Sequence, residues 1–143
     1  MHSINDLVKG RTTHDVREEQ TVLDVARLMV EHNIGAVPVL RDGKLVGIFS
    51  ERDLLKRIVA EGRDPKSILV GDVMTPDPLV VEPTETVEHC MVVMKQHNFR
   101  HLPVCDRGRM VGIVSLRDIM LHDLEEKDDE IVTMRQYIQT NAS

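Results

Sequence analysis

The sequence predicts a mixed α/β (α+β) fold, built from two copies of one βαββα unit and a C-terminal helix. Shifted by 65 positions, the chain matches itself at 14 of the 34 positions from Thr21 to Leu54, without a gap. In each copy, apolar residues at helical spacing precede two short apolar strands that flank a glycine-containing turn. A copy of roughly 60 residues buries little core alone, so the two should pack through their sheets about a pseudo-twofold axis.

The elements follow in the same order in both copies. After a first strand, which residues 13–16 lead into, the first copy should contain a helix, two strands and a helix, over residues 22–32, 36–40, 45–49 and about 51–60. The second repeats them over residues 87–96, 102–105, 110–114 and from 116 onward. Thr21 is the expected cap of the first helix, and Asp42-Gly43 is a hairpin turn. With a linker at 61–66, the predicted domains are 1–62 and 67–122, followed by an acidic tail over 123–143.

The composition excludes several classes of partner. The net charge is −6, and the aromatic residues are only Phe49, Phe99 and Tyr137, which disfavours nucleic acid as a partner. The chain has no 18-residue apolar run and no signal-peptide pattern, so we expect no membrane span and a cytoplasmic location. Cys90 and Cys105 are expected to be reduced core residues.

Three motifs, two of them duplicated, carry a family resemblance. Gly-Ala-Val-Pro-Val at 35–39 recurs as Arg-His-Leu-Pro-Val at 100–104. Leu-Val-Gly-Ile-Phe-Ser-Glu-Arg-Asp at 45–53 recurs as Met-Val-Gly-Ile-Val-Ser-Leu-Arg-Asp at 110–118, and Asp-Val-Met-Thr-Pro occurs once, at 72–76. In this order they resemble the cystathionine-β-synthase (CBS) domain over roughly residues 2–122. The chain resembles a stand-alone tandem pair, a Bateman module.

The Ser-x-x-Asp pattern of Ser50–Asp53, repeated at Ser115–Asp118, has two interpretations. A serine followed three residues later by an acid is a helix capping box, which needs no ligand. The same geometry, with Arg52 or Arg117 beside it, suits a phosphate and the hydroxyls of a ribose. The resemblance implies the second interpretation, because in CBS domains this serine and aspartate contact a nucleotide.

Arg100 and His101 stand where the first copy has Gly35 and Ala36, followed by Val37. A cation pair beside a cleft suits phosphate, whereas the alternative is a solvated surface pair. Small residues would instead let a base approach the backbone. We therefore expect two unequal clefts, with phosphate better bound near Arg100 and His101. The resemblance further implies that loop residues hold the adenine edge, namely Thr13, His14, Pro78 and Leu79.

We expect neither a metal site nor catalysis. The seven histidines and two cysteines include no CxxC pair that would nucleate a metal site. No nucleophile has a base at a recognisable spacing, and the chain has neither a GxSxG motif nor a phosphate-binding loop of the Walker type. The sequence therefore predicts a protein that is not an enzyme and requires no cofactor.

The tail departs from the repeat. Residues 123–143 carry six acids and two bases, and apolar residues recur at a spacing of three or four, interrupted by Lys127. This seam favours a partner helix and a homodimer, and the alternative is a tail that lies on its own domain.

The resemblance implies a regulatory module that binds an adenosine nucleotide between its two domains. AMP, ADP, ATP, NAD and S-adenosylmethionine are the candidates, with AMP or NAD foremost, and a protein target would be regulated in trans. The alternative is a structural or protein-interaction module whose clefts are degenerate.

Overall fold

A computed structural model of the chain describes residues 2–142, with side chains over residues 2–139. Met1 and Ser143, the outermost residues of the predicted first domain and tail, lie outside the described residues. Within the described range, no helix is both long and apolar enough to cross a membrane.

The first half of the chain contains all the predicted elements, preceded by one short helix. They are α1 (Asn5–Val8), β1 (Val16–Arg17), α2 (Val22–His32), β2 (Ala36–Arg41), β3 (Lys44–Ser50) and α3 (Glu51–Asp53). A π-helical segment, Leu54–Val59, continues α3 without a break. The helix predicted over 51–60 is thus present, but most of it is wound more loosely than an α-helix.

The second half repeats this order with a reduced first strand and one added strand, Thr75–Pro76, which pairs with β3. It contains α4 (Val70–Val73), β4 (Thr75–Pro76), α5 (Val87–His97), β5 (His101–Asp106), β6 (Arg109–Ser115) and α6 (Leu116–Ala142). At the place of β1, a single parallel bridge joins Val81 to Val104. The predicted fold of two βαββα units with a C-terminal helix is confirmed.

The helices α2 and α5 begin and end in the same way. Thr21 and Thr86 each accept, through Oγ1, a hydrogen bond from the backbone N–H three residues later, at 3.2 and 3.0 Å. Asn33 and Asn98 end the helices in the left-handed conformation, with φ of 52° and 57°. Asparagine tolerates this region better than most residues, so the repeated His-Asn pair marks both ends. The predicted cap at Thr21 is confirmed.

The core of each unit is completed by a segment from the other half of the chain. We call residues 3–14 and 69–79 the first and second lead-ins. The first places α1 in the core formed by α5, β5, β6 and α6. The second places α4 in the core formed by α2, β2, β3 and the π-helical segment. Antiparallel bridges, Ser3–Thr86 and Thr21–Leu69, fix the two lead-ins on their new neighbours.

Both cysteines lie in the core, as the sequence predicts. Cys90 and Cys105 are buried, with 0% and 8% of their surface exposed. Burial, with a smaller effect of the Glu85 charge, raises the pKa of the Cys90 thiol to about 11. Since the thiolate is the reactive form, Cys90 is an inert packing residue.

Each lead-in crosses the facing strand over a glycine. A Cβ on Gly47, in β3, would lie 2.3 Å from the Met74 sulfur and 3.0 Å from the Thr75 carbonyl oxygen. At the equivalent Gly112, in β6, a Cβ would lie 3.1 Å from the Val8 Cβ. The duplicated Val-Gly-Ile motif therefore has a steric reason, because a Cβ would clash with the lead-in at Gly47 and would make a tight contact with it at Gly112.

We expect Gly47→Ala to reduce the free energy of unfolding by about 1–3 kcal/mol, because the added methyl overpacks the crossing. Urea unfolding of Gly47→Ala, Met74→Ala and the double variant tests this contact. Since Met74→Ala removes the closest neighbour, Gly47→Ala should cost less stability in that background. An equal cost in both backgrounds would show that the Met74 contact is not the cause.

Candidate functional site

A cleft of about 210 Å³ lies between the two units, beside the second lead-in. Eight of the residues predicted from the sequence line it: Gly35, Ser50, Arg52, Asp53, Pro78, Leu79, Arg100 and His101. We call it the first cleft. Folding brings these residues together from both units, although Gly35 and His101 are far apart in the sequence.

Ser50 and Asp53 form a capping box at the start of α3. Asp53 Oδ2 accepts hydrogen bonds from the Ser50 N–H at 3.0 Å and from its hydroxyl at 3.1 Å. The Asp53 N–H donates in return to Ser50 Oγ at 3.2 Å, and the Glu51 N–H donates to the Gly35 carbonyl at 3.0 Å. Two of the first three N–H groups of the helix are therefore already satisfied. An anion in this cleft depends on side-chain cations more than on the helix end.

The other carboxylate oxygen of Asp53 faces the second lead-in. Oδ1 accepts a hydrogen bond from the Thr75 hydroxyl at 3.4 Å and lies 3.6 Å from Nε of Arg57. Arg57 also donates from Nη1 to the carbonyls of Val73 and Met74, both at 2.8 Å. One arginine thus holds the end of α4 and orients Asp53, whose side chain is 13% exposed.

Two arginines contribute positive charge to the first cleft. Arg52 reaches from α3 to the second unit, where its Nη1 donates to the Asn98 carbonyl at 3.1 Å. Arg100, in the loop before β5, is exposed and lines the cleft from the second unit. The Arg52 bond spans the opening between the units, so a ligand that engages Arg52 would change how they are held together.

His101 lines the cleft and lies against Gly35. A Cβ on Gly35 would lie 3.4 Å from both Cε1 and Nε2 of the imidazole. Burial lowers the pKa of His101 below its usual 6.5, an effect that the carboxylates of Asp118 and Glu51 oppose and the neighbouring arginines reinforce. The imidazole is therefore neutral at neutral pH.

The sequence analysis missed six residues that line this cleft: Ile48, Glu51, Thr75, Asn98, Phe99 and Pro103. Phe99 is 39% exposed and stacks on His97, with ring centroids 5.3 Å apart. The scarcity of aromatic residues argued against ring stacking, yet one of the few lies here. Its position directly before Arg100 was the available signal, and Thr75 was visible within the Met-Thr-Pro motif.

The equivalent site of the second unit is occupied by an arginine from the first lead-in. Ser115 and Asp118 form the same capping box at the start of α6, at 2.9 and 3.0 Å. Arg11 Nη1 donates to Asp118 Oδ2 at 2.9 Å. Burial raises the pKa of the Asp118 carboxyl, but hydrogen bonds from Arg11 and Ser115 outweigh burial and hold the pKa below its usual value. The two Ser-x-x-Asp sites are therefore not equivalent.

The remaining predicted residues lie outside the first cleft: Thr13, His14, Ala36, Val37, Ser115, Arg117 and Asp118. The side chains of Ala36 and Val37 are buried in β2, which leaves only their backbone for a ligand. Thr13 lies on the lead-in that crosses Gly112, and His14 stacks on His32 with centroids 3.7 Å apart. Arg117 is exposed.

Comparison with known proteins identifies the family. The profile of the CBS domain matches residues 15–60 and 70–125. The CBS domain-containing protein YhcV of Bacillus subtilis is 34% identical over 127 residues, covering 89% of each chain. The mitochondrial CBS domain-containing protein CBSX3 of Arabidopsis thaliana is 36% identical over 126 residues, which cover 85% of this chain and 61% of that protein.

Two solved structures share the fold and contain adenosine ligands. CBSX2 in complex with AMP is 31% identical, with a TM-score of 0.76, and the match covers 89% of this chain and 99% of that one. The CBS domain pair of MJ0100, in complex with 5′-methylthioadenosine and S-adenosyl-L-methionine, is 25% identical, with a TM-score of 0.79. That match covers 87% of this chain and 98% of the other. This chain belongs to the CBS domain family and carries two CBS domains in tandem.

Proposed function

We propose that this chain is a regulatory module that binds an adenine nucleotide, AMP or NAD foremost, in the first cleft. The observation that carries the proposal is the cleft, which joins an oriented carboxylate, two arginines and an apolar loop in one opening. The AMP bound to CBSX2 and the two adenosine derivatives bound to MJ0100 support the class of ligand.

Each part of a nucleotide has a chemically matched neighbour in this cleft. Asp53 offers a carboxylate oxygen to the ribose hydroxyls. Arg52 and Arg100 offer guanidinium groups to the phosphate, which a guanidinium can bind through two oxygens at once. Pro78-Leu79 and Phe99 offer apolar surface to the adenine, where stacking on a ring contributes about 1–3 kcal/mol.

The second site binds the same class of ligand more weakly in this proposal. Arg11 already neutralises Asp118, so a ribose there must displace a hydrogen-bonded guanidinium from the carboxylate. In the first cleft, Asp53 Oδ1 faces only a hydroxyl at 3.4 Å and Arg57 Nε at 3.6 Å. The first cleft is therefore the one expected to fill at lower nucleotide concentration.

Regulation would act through the contacts that the ligand changes, without a chemical step. A phosphate that engages Arg52 competes with the Asn98 carbonyl for the guanidinium, which alters the connection between the two units. A target protein that binds in trans would detect this change. The second candidate function is a structural module for protein interaction, and the arginine already placed on Asp118 is the observation that favours it.

We also propose that the chain forms a homodimer through α6. Apolar side chains along one seam of this helix are largely exposed: Met120, Leu124, Ile131, Met134 and Ile138. A helix that extends beyond its own domain gains little stability from propensity alone, and burial of such a seam against a second copy would supply it.

Asp53→Ala and Asp118→Ala form a matched pair, because each removes the acid of one capping box. We expect Asp53→Ala to weaken AMP binding at the tighter site by about tenfold or more, which corresponds to one lost charged hydrogen bond. Asp118→Ala should leave that affinity within about threefold. Isothermal titration, with circular dichroism to verify folding, measures both. If both variants bind AMP with the same affinity, the result would contradict the proposed site and favour the protein-interaction module.

AMP binding should take up protons near pH 7. Burial depresses the pKa of His101, whereas a bound phosphate would raise it, so affinity should increase as the pH falls from about 8 towards 6.5. Titration in buffers of different ionisation enthalpy measures the uptake. His101→Gln should reduce it, and the exposed His97→Gln should not. If His101→Gln takes up as many protons as the wild type, His101 does not face the phosphate.

Deletion of residues 124–143 should convert the dimer to a monomer in multi-angle light scattering. Ile131→Asp, within the apolar seam, should weaken the dimer because it buries a charge. Thr133→Asp introduces the same charge on the opposite face of α6 and serves as the control. A dimer mass that survives the deletion, or a monomeric wild type, would exclude α6 as the interface.

A further inference from the structure

Three side chains with metal-binding atoms lie together, away from the first cleft. His122 and Glu126 are four residues apart on α6, so they share one face of the helix. His2 directly precedes the bridge that fixes the first lead-in against the start of α5. The potential ligand atoms of these three side chains all lie within 4.8 Å of one another. We call these residues the His2–His122–Glu126 cluster.

The backbone places His2 at the cluster. The His2 carbonyl accepts a hydrogen bond from the Val87 N–H at 3.1 Å, and the Ile4 N–H donates to the Glu85 carbonyl at 2.7 Å. The two imidazoles meet edge to face, with centroids 4.9 Å apart and planes at 77°. His2 Nε2 also contacts Glu126 Oε1.

One nitrogen of the cluster is buried without a partner. His122 Nε2 has no hydrogen bond to any residue that the structure describes. The nearest carboxylate oxygen, Glu126 Oε1, lies 3.6 Å away, which is too long for a hydrogen bond. A buried polar atom of this kind costs free energy unless something binds it. A cation between His122 and Glu126 would give both the imidazole nitrogen and the carboxylate a partner.

We propose that the His2–His122–Glu126 cluster binds a divalent transition-metal ion of the zinc type. Two imidazole nitrogens and one carboxylate oxygen are a donor set that zinc accepts, with a fourth position open to water. Ligands bound at about 2.0–2.1 Å in a tetrahedron lie about 3.4 Å apart. His122 Nε2 and Glu126 Oε1, at 3.6 Å, are already near this spacing, whereas His2 Nε2 and Glu126 Oε1 are in contact and must move apart to admit the ion.

A second carboxylate supports the site from outside. Asp6 Oδ2, on α1, lies 3.7 Å from Nδ1 of His2, the nitrogen opposite the one that contacts Glu126. Once the two close to hydrogen-bond distance, a carboxylate in this position orients a metal-bound histidine and strengthens it as a ligand. The bound ion would tie His2, which directly precedes the first lead-in, to α6, and this lead-in also carries Arg11 to Asp118.

The test is zinc binding to untagged protein that has been stripped with EDTA and dialysed. We expect one zinc per chain by elemental analysis and titration calorimetry, and a melting temperature raised by roughly 5 °C at saturating zinc and lowered again by EDTA. His122→Ala and Glu126→Gln should each weaken zinc binding by about tenfold or more, and Asp6→Asn by about tenfold. Co²⁺ in place of zinc should give the visible absorption of a four-coordinate site.

His89→Ala is the matched control. His89, in the first turn of α5, has its Nε2 3.7 Å from Glu85, which lies just before the helix. The two are four residues apart, as His122 and Glu126 are, but His89 lies outside the cluster. This variant should bind zinc as the wild type does.

Glu126→Gln alters a partly exposed side chain, so it keeps the test valid if His122→Ala misfolds. Wild-type protein free of zinc after dialysis against about 10 µM zinc, or equal affinity in Glu126→Gln and His89→Ala, would overturn the proposal.

Discussion

The crossing of each lead-in over a glycine of the facing strand is the contact on which the rest of the structure depends. Because Gly47 and Gly112 have no side chain, Met74 and Val8 lie close to the strands. This closeness lets α1 and α4 enter the core of the opposite unit. Each core is thereby completed by residues from the other half of the chain. The two units form one cooperative structure, in which a change at a lead-in reaches both cores.

The same crossing produces the first cleft and makes the two Ser-x-x-Asp sites unequal. The second lead-in brings Thr75 to Asp53, whereas the first brings Arg11 to Asp118. The two lead-ins follow equivalent backbone paths, but the side chains that they place beside the two aspartates differ in charge. Asp53 Oδ1 faces the Thr75 hydroxyl at 3.4 Å and Arg57 Nε at 3.6 Å, whereas Asp118 accepts a direct hydrogen bond from the Arg11 guanidinium at 2.9 Å. Duplication has supplied two equivalent frames, and substitutions on the lead-ins have separated their chemistry.

The sequence predicts what is local and misses what is assembled over long distances. The caps at Thr21 and the capping box at Ser50 follow from short motifs, because their hydrogen bonds join residues three apart. The packing of each lead-in into the core of the opposite unit does not follow from periodicity, since the sequence shows Val8 only as an apolar residue before a loop. The approach of His2 to His122 depends on this packing between the two halves of the chain, so no ligand spacing in the sequence indicates it. Arg11 at Asp118 was missed for the same reason.

His101 provides a physical route by which the two sites can influence each other. Burial keeps its imidazole neutral, while the carboxylates of Glu51, in the first cleft, and Asp118, in the second site, both favour its charged form. A phosphate that protonates His101 would turn a neutral ring beside Asp118 into a cation, which competes with Arg11 for that carboxylate. Arg11 belongs to the lead-in that completes the second core, so the charge of one ring is linked to the packing of a whole unit. If nucleotide binding protonates His101 as proposed, this coupling is reciprocal. The contacts that hold Arg11 on Asp118 would then alter nucleotide affinity in the first cleft as well, within the threefold change expected for Asp118→Ala.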